Sequence, residues 1–490
     1  MVASGCGETE APELQVILVL DGLRPDYVTA ELMPRLDALA RNGIRFTRHH
    51  SVFPTVTRVN AASIATGSYP SRHGLMGNTV YFPSVDPDEG LRTSSLAKLR
   101  RIEAAGEDLV TAPSLGEAFA DAGKRVLAVS SGSKGSAYLL NHTLSGGAIL
   151  HSEYALPAAL EGVVDDRVGP APPPAEPNAG RNRHAIDMLF EVGLPEVEPD
   201  LVLLWLSDPD HTAHEHGIGS PEATEALRLV DGEVGRLVDG LDARGYRFNL
   251  FVTSDHGFST HHDSVDLDDV LEPFVRFDDD GHPDLVRAGH GIYDLTEDAH
   301  RQKAIVEALQ RAPGVGAIFT HAHDDDRQSG SVAGTLSIEL VEWDHPRSAQ
   351  ILVSLDWRDA ENEHGWPGTS HQGGTAGHGT TSPWDIHSTL VAFGSDLLEE
   401  VVLDRHPTSN VDLAPTVSHL AGVLFPPAAH GRVLVEALAG WSSEGPVDRG
   451  DEQLTISGQL EDLNYWLSAK FSTVGEHRYL DSTQVSRAAR

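Results

Sequence analysis

The residues of this chain whose types could do chemistry are a spread of acids and histidines and two threonines. Three apolar runs each end in an acid: "VILVLDG" at Asp21, "LVLLWLSDPDHTAH" at Asp208 and Asp210, and "LFVTSDHG" at Asp255–His256. One strand-end aspartate is commonly a helix cap or a turn former. Three of them, two with histidine alongside, are poorly explained as caps. Carboxylate and imidazole together are the ligand set of Zn2+ or Mn2+. In "PDHTAHEHG", His214 stands four residues after Asp210, within reach of one ion if the loop enters a helical turn; His211 and His216 are alternatives on composition. His378, in "GGTAGHGTTSPWDIH", is framed by glycines that let backbone approach a site closely. The threonines Thr55 and Thr57 lie in "SVFPTVTRVNAASIATGSYPSRHG", ahead of what reads as a short helix running to Gly67. A hydroxyl at a helix start is ordinarily an N-cap. The same place offers backbone N–H groups and the positive end of the helix dipole to a phosphate. A threonine hydroxyl is almost wholly protonated at neutral pH, and coordination to a dication lowers its pKa.

Such side chains need a frame. Short β-branched runs at 14–20, 124–130, 200–206 and 248–254 read as buried parallel strands. Helix candidates lie between them, at 32–42, 184–193 and, most clearly, 221–244, where Ser220 is a plausible N-cap and Pro221 takes the first helical position. Strand alternating with helix means a doubly wound, mostly parallel α/β sheet with helices on both faces. Ligands of such sheets sit outside the carboxyl ends of the strands, so the strand-end acids converge on one crevice. Insertions are expected at about 80–110, 165–182 and 258–350, and the alternation in "YWLSAKFSTVGEHRYLDSTQV" reads as a C-terminal antiparallel hairpin.

Of the 490 residues, 73 are Asp or Glu and 36 are Lys or Arg, only five of them lysine, for a formal charge of −37. That field repels nucleic-acid backbones, so duplex nucleic acid is not an expected partner; a small molecule is. The single cysteine, Cys6, excludes an internal disulfide framework and a Cys-rich zinc site. No apolar run approaches the ~18–20 residues that span a bilayer. The opening "MVASGCGETEAPE" reads as the trimmed tail of a lipoprotein signal, with 1–13 a flexible tether and a membrane tether through lipidated Cys6. An extracytoplasmic place, periplasmic or at the cell surface, is the matching expectation.

The motifs D-G (21–22), P-T-x-T (54–57), H-G-x-x-G-N (73–78), P-D-x-x-x-H (209–214), S-D-H-G (254–257) and G-H-G (377–379) occur in this order. The ordered set resembles the type I phosphodiesterase/nucleotide pyrophosphatase branch of the alkaline phosphatase superfamily. "NVDLAPTVSHLAGV" (410–423), followed by "HGRVL", resembles the end of that superfamily's core. The resemblance covers roughly 14–430 in scattered blocks and implies an alkaline phosphatase-like catalytic domain over 14–490. It implies two divalent metal ions, zinc with manganese as the alternative. Asp21, Thr57, Asp255 and His256 match the ligands of one, and Asp210, His214 and His378 those of the other. It further implies hydrolysis of a phosphate ester through a phosphothreonine on Thr57, with Asn78 binding a non-bridging phosphoryl oxygen.

Two departures bear on substrate. The branch usually reads P-T-x-T-x-P-N, and here Arg58 follows the nucleophile position while Val59 replaces the proline. A helix's second residue generally faces out, so Arg58 is expected at the surface. "VSSGSKGSAYLLN" (129–141) resembles the loop with which threonine-nucleophile alkaline phosphatases grip a dianionic phosphate. It keeps Lys134 as a substrate-binding cation but has Ser136 where the arginine would be. Phosphodiesters or nucleotide pyrophosphates are therefore the expected substrates, with a phosphomonoesterase or a phosphonoacetate hydrolase-like enzyme as alternatives and a non-catalytic metal- or phosphate-binding protein as the reading from another class.

Overall fold

The computed structural model describes residues 13–296, 298–323, 326–441 and 449–490. The expected tether and Cys6 lie outside the described residues, apart from Glu13, which begins the first strand. The main sheet is built from β1 (Glu13–Leu20), β2 (Ile44–His50), β3 (Val126–Ser130), β4 (Ala148–His151), β5 (Tyr154–Leu156), β6 (Leu201–Leu206), β7 (Arg247–Thr253), β8 (His387–Gly394) and β9 (Val401–Leu403). Their spatial order is β9-β2-β8-β7-β1-β6-β3-β4-β5, and the short strand Thr408–Ser409 also pairs with β2. The block β7-β1-β6-β3-β4 is parallel. Strand β8 runs antiparallel to both β7 and β2.

Continuous apolar runs suit strands buried on both faces. Along β1, Val16, Leu18 and Leu20 enter one core while Ile17 and Val19 enter the other; β6 divides its side chains in the same way. Helices must therefore cover both faces, as the alternating sequence pattern required. Four of them matter below: α1 (Thr57–Thr66), α2 (Lys134–Leu140), α3 (Asp210–His216) and α4 (Pro221–Ala243). Ser220 caps α4 by accepting from the Ala223 N–H, and Leu227, Val230, Val234, Leu237 and Leu241 form its buried face. The helix expected over 184–193 begins earlier, at Ala179, and passes into a wider π-helical segment, Leu189–Val197.

The stretch between β7 and β8 folds into sheets of its own. A seven-stranded sheet and the helix Ala299–Arg311 close over an apolar cluster that includes Ile305, Val306, Leu309 and Ile318. A four-stranded sheet pairs Ser259–His261 with Ala376–Gly377, so the chain leaves and re-enters the catalytic face at adjoining points. The C-terminal hairpin has a third strand: β10 (Arg449–Gln459), β11 (Leu463–Val474) and β12 (His477–Ala489) form an antiparallel sheet. Most of β10 is exposed, so its sequence lacks the apolar alternation that marks the other two.

Candidate active site

Because β7, β1 and β6 are neighbours, the residues following their carboxyl ends meet at one place. Asp21 follows β1, Asp255 follows β7, and Asp210 opens α3 after β6. The turns are bound to one another: the Gly22 N–H donates to Asp255 Oδ1 (3.1 Å), and the Leu23 N–H donates to Ser254 Oγ (2.8 Å). Gly22 has φ of +71°, and a Cβ there would lie 3.0 Å from that of Asp210. Glycine is thus needed both for the turn and for the approach of α3. Asp208 does something else. Its oxygens accept from Thr212 Oγ1, the Asn178 N–H and Asn182 Nδ2, so it caps and ties loops.

His214, His256 and His378 bring their Nε2 atoms to the three acids. His214 and His378 lie 3.3 and 3.4 Å from Asp210 Oδ1, and His256 lies 3.0 Å from Asp255 Oδ2 and 3.5 Å from Asp21 Oδ1. Each ring is fixed through Nδ1 to a backbone carbonyl: Ala376 at 2.9 Å, Gly257 at 2.9 Å and Thr55 at 2.7 Å, respectively. A carbonyl only accepts, so each Nδ1 carries a proton; with a cation bound the ring is neutral and its Nε2 lone pair is turned towards the acids. Asp21 Oδ1, Asp210 Oδ1 and Asp255 Oδ2 are buried and have no hydrogen-bond partner. Lone pairs facing lone pairs in a buried space call for cations between them.

Without a cation, the buried groups perturb one another strongly and His214 takes up a proton. Burial, then the Asp255 and Asp210 carboxylates, push Asp21 well above the usual carboxyl range. Burial also pushes His378 well below the imidazole range, with His256 adding to it. Burial opposes charge on His214, but Asp210 overcomes it and raises His214 to about 9. The donor atoms form two overlapping groups, Asp210–His214–His378 and Asp21–Asp210–His256, each with its atoms within 4.8 Å of one another. This set fits divalent cations. Of the other loop histidines, His216 pairs with Glu176 at 3.1 Å, and His211 leaves its buried Nε2 unpartnered outside both groups.

Thr57 is the first residue of α1, with its Oγ1 3.4 Å from His256 Nε2. The helix is buried on all sides except at Arg58, and its small residues Ala61, Ala62 and Ala65 let it lie deep against its neighbours. Asn78 is tethered beside Thr57: its Oδ1 accepts from the Arg58 N–H at 3.0 Å. Arg58 differs from the surface placement expected of it. Its guanidinium is largely buried, its Nε has no partner, and it feels Asp21, Asp210 and Asp255, although burial lowers its pKa. Lys134 opens α2 and is held by Glu153 at 2.7 Å, while Ser136 is buried and bonded to Ser133 within the same turn.

Several residues that matter here carry no signal in the sequence. Thr55, read as a turn residue, donates to the Thr380 carbonyl (2.8 Å) and accepts from the Gly379 N–H (3.1 Å), while its own carbonyl holds His378. Trp205, in the middle of an apolar run, donates from Nε1 to Asp21 Oδ2 at 2.9 Å. Asn410 reaches the Asn60 side chain and the carbonyls of Ser254 and Asp255 through one amide nitrogen, at 3.0–3.2 Å.

With this geometry in hand, the chain can be placed among known proteins. Human ectonucleotide pyrophosphatase/phosphodiesterase family member 7 is 28% identical over 273 residues, which is 53% of this chain and 52% of that protein. Family member 1 of the rat, Rattus norvegicus, is 28% identical over 261 residues, 51% of this chain and 24% of that protein. The chain thus matches about a quarter to a half of the length of these curated relatives. A crystal structure of a mutant of the alkaline phosphatase PafA superposes with a TM-score of 0.66 at 16% identity, covering 88% of this chain and 99% of that one; at that identity the likeness is one of fold. The sequence profile of "Type I phosphodiesterase / nucleotide pyrophosphatase" matches residues 15–378, and the chain belongs to that family.

Proposed function

We propose that the chain is a metal-dependent hydrolase of phosphoric esters, acting on phosphodiesters or nucleotide pyrophosphates through a phosphothreonine on Thr57. The observation that carries this reading is the meeting of Thr57 Oγ1 with a buried donor set whose inward carboxylate oxygens have no other partner. Asp21, Thr57, Asp255 and His256 would hold one divalent cation and Asp210, His214 and His378 a second, with zinc favoured by the donor types and manganese the alternative. Bound there, the pair supplies the Lewis-acid charge that activates the threonine hydroxyl and stabilises the leaving oxygen.

The chain's own residues do the rest. Thr57 Oγ1 gives up its proton to water and attacks phosphorus, the bond to the ester oxygen breaks on the opposite side, that oxygen leaves as an alcohol after taking a proton from water, and the phosphoryl group rests on the threonine. Water then enters from the vacated side, breaks the bond between Thr57 and phosphorus, and restores the hydroxyl. Asn78 has its Oδ1 committed to the Arg58 N–H, which leaves Nδ2 free to donate to a non-bridging oxygen. The N-terminus of α1 adds backbone N–H groups at the same place. Lys134 joins as a substrate cation only by leaving Glu153. A phosphomonoesterase is the second reading, and the unpaired Arg58 guanidinium favours it, because it restores a cation that Ser136 does not provide. A phosphonoacetate hydrolase-like activity uses the same ligands and nucleophile.

The relatives are named as ectonucleotide enzymes, which supports an extracytoplasmic place for this chain. Among the described residues, no helix is long and apolar enough to cross a membrane. Acid quench of the enzyme turning over a 32P-labelled ester tests the chemistry. Label is expected on the peptide carrying Thr57 and on none from Thr57→Ala, which should keep its fold and metal. A Thr57→Ala protein with wild-type turnover would end this reading.

A further inference from the structure

A second His/Asp cluster lies away from the acids of the candidate active site. Strands β2 and β8 pair antiparallel with His50 directly opposite His387, so the two imidazoles project from neighbouring positions on one face. Asp481 reaches them from β12 of the C-terminal sheet. His50 Nε2 lies 2.9 Å from Asp481 Oδ1, and His387 Nε2 lies 3.8 Å from the same oxygen. The Thr408 carbonyl stands 2.8 Å from His50 Nδ1, so Nδ1 carries a proton and Nε2 is the ring atom that faces the carboxylate, as a lone pair towards a cation or as a second donor without one. Ser472 Oγ contacts both oxygens of Asp481, at 2.7 and 2.9 Å, and holds it in place.

We propose that His50, His387 and Asp481 bind a separate divalent cation of the zinc class, which fastens the C-terminal sheet to the strand leading to Thr57. The three donor atoms lie within 4.8 Å of one another. A tetrahedral zinc with bonds of about 2.0–2.2 Å spaces its donors about 3.3–3.6 Å apart, between the two distances observed here. His50 is buried, and His387 opens onto a cleft of about 760 Å3 that leaves room for water as the fourth donor. An ion pair of protonated His50 with Asp481 would account for those two residues but would leave His387 without a role. His387 and Asp481 lie beyond the residues 15–378 that the family profile matches, and His50 lies within them.

The test is anomalous diffraction at the zinc edge from crystals of the full chain grown with zinc alone, together with metal analysis of variants. The expected result is a peak bonded to His50, His387 and Asp481, well separated from any at Asp21 and Asp210. His387→Ala and Asp481→Asn should each lose one equivalent of zinc relative to wild type, while the anomalous peak at this site persists in Asp210→Asn. Because this readout is a difference at its own location, it stands or falls independently of the occupancy and chemistry around Thr57. Absence of the peak, or unchanged zinc content in folded His387→Ala, would overturn the proposal and leave a hydrogen-bonded ion pair. If neither variant folds, the wild-type diffraction alone decides.

Discussion

Replacing Thr55 by valine keeps shape and removes only the hydroxyl, so it isolates what that hydroxyl does. The structure assigns it two bonds, a donor to the Thr380 carbonyl at 2.8 Å and an acceptor from the Gly379 N–H at 3.1 Å, both at a fully buried position. Valine leaves both backbone groups unpaired, at about 1–3 kcal/mol each. The loop would recover part of this by shifting, which leaves a net effect of about 2–4 kcal/mol. That loop carries His378, whose ring is held by the carbonyl of the same Thr55. Whichever way the cost is met, the metal pocket suffers. A loop that stays is destabilised, and a loop that moves takes His378 Nε2 away from Asp210. If the whole cost falls on metal retention, binding weakens by about 30–1000-fold, at 1.4 kcal/mol per factor of ten. Thr55→Ser restores the hydroxyl and should return most of the loss. The assay is zinc retention against a graded chelator, paired with urea unfolding of the metal-free protein. The reasoning is refuted if Thr55→Val matches wild type in both, or if Thr55→Ser is damaged as badly as Thr55→Val.

Arg58→Gln should lower kcat/KM for an aryl phosphomonoester by about 10–100-fold, the loss of one charge-assisted hydrogen bond of about 1.5–3 kcal/mol, and lower it much less for the matching diester. Equal losses on both would assign Arg58 to the fold instead of the substrate. Trp205→Phe strips Asp21 Oδ2 of its donor, leaving a small buried cavity, and should weaken zinc binding by about 10–100-fold; unchanged affinity in a chelator competition would dismiss Trp205 as a positioning residue. His73 is buried, and burial holds it neutral with its pKa lowered to about 3. Between pH 6.5 and 3 the unfolded chain binds a proton there that the folded chain refuses, so His73 destabilises by up to about 1.4 kcal/mol per pH unit as pH falls. His73→Gln should therefore narrow its stability gap to wild type as urea midpoints are taken from pH 7.5 to 5.5, and a constant gap would contradict this.

The acids were legible because two local rules coincide: an apolar run fixes a strand, and an acid just past its end fixes a side chain at the crevice. The parallel order β7-β1-β6 turns three such signals into one place. His214 needed one more fact, the phase of α3, and the sequence left His211 and His216 open beside it until the helix was seen to begin at Asp210. Thr55, Trp205 and Asn410 were not legible, since each acts through partners far along the chain: 325 residues separate Thr55 from Thr380 and 184 separate Asp21 from Trp205. Arg58 misled for a different reason. The rule that places a helix's second residue outside assumes a helix lying on the surface, whereas α1 is buried everywhere but at Arg58, which is itself only partly exposed.

Strand β2, which delivers the chain to Thr57, has as its sheet partners β8, β9 and the pair Thr408–Ser409, all from residues 387–409. None of them is yet made when the last candidate ligand, His378, is added to the growing chain. A fragment ending there would own all seven candidate ligands, Thr57 among them, yet β2 would lack every one of its sheet partners. Joining β2 to the parallel block waits on β8, which lies between β2 and β7 in the sheet. Non-local pairing of this kind is slow, and the unpaired edge of β7 is the surface most open to misassociation in the meantime.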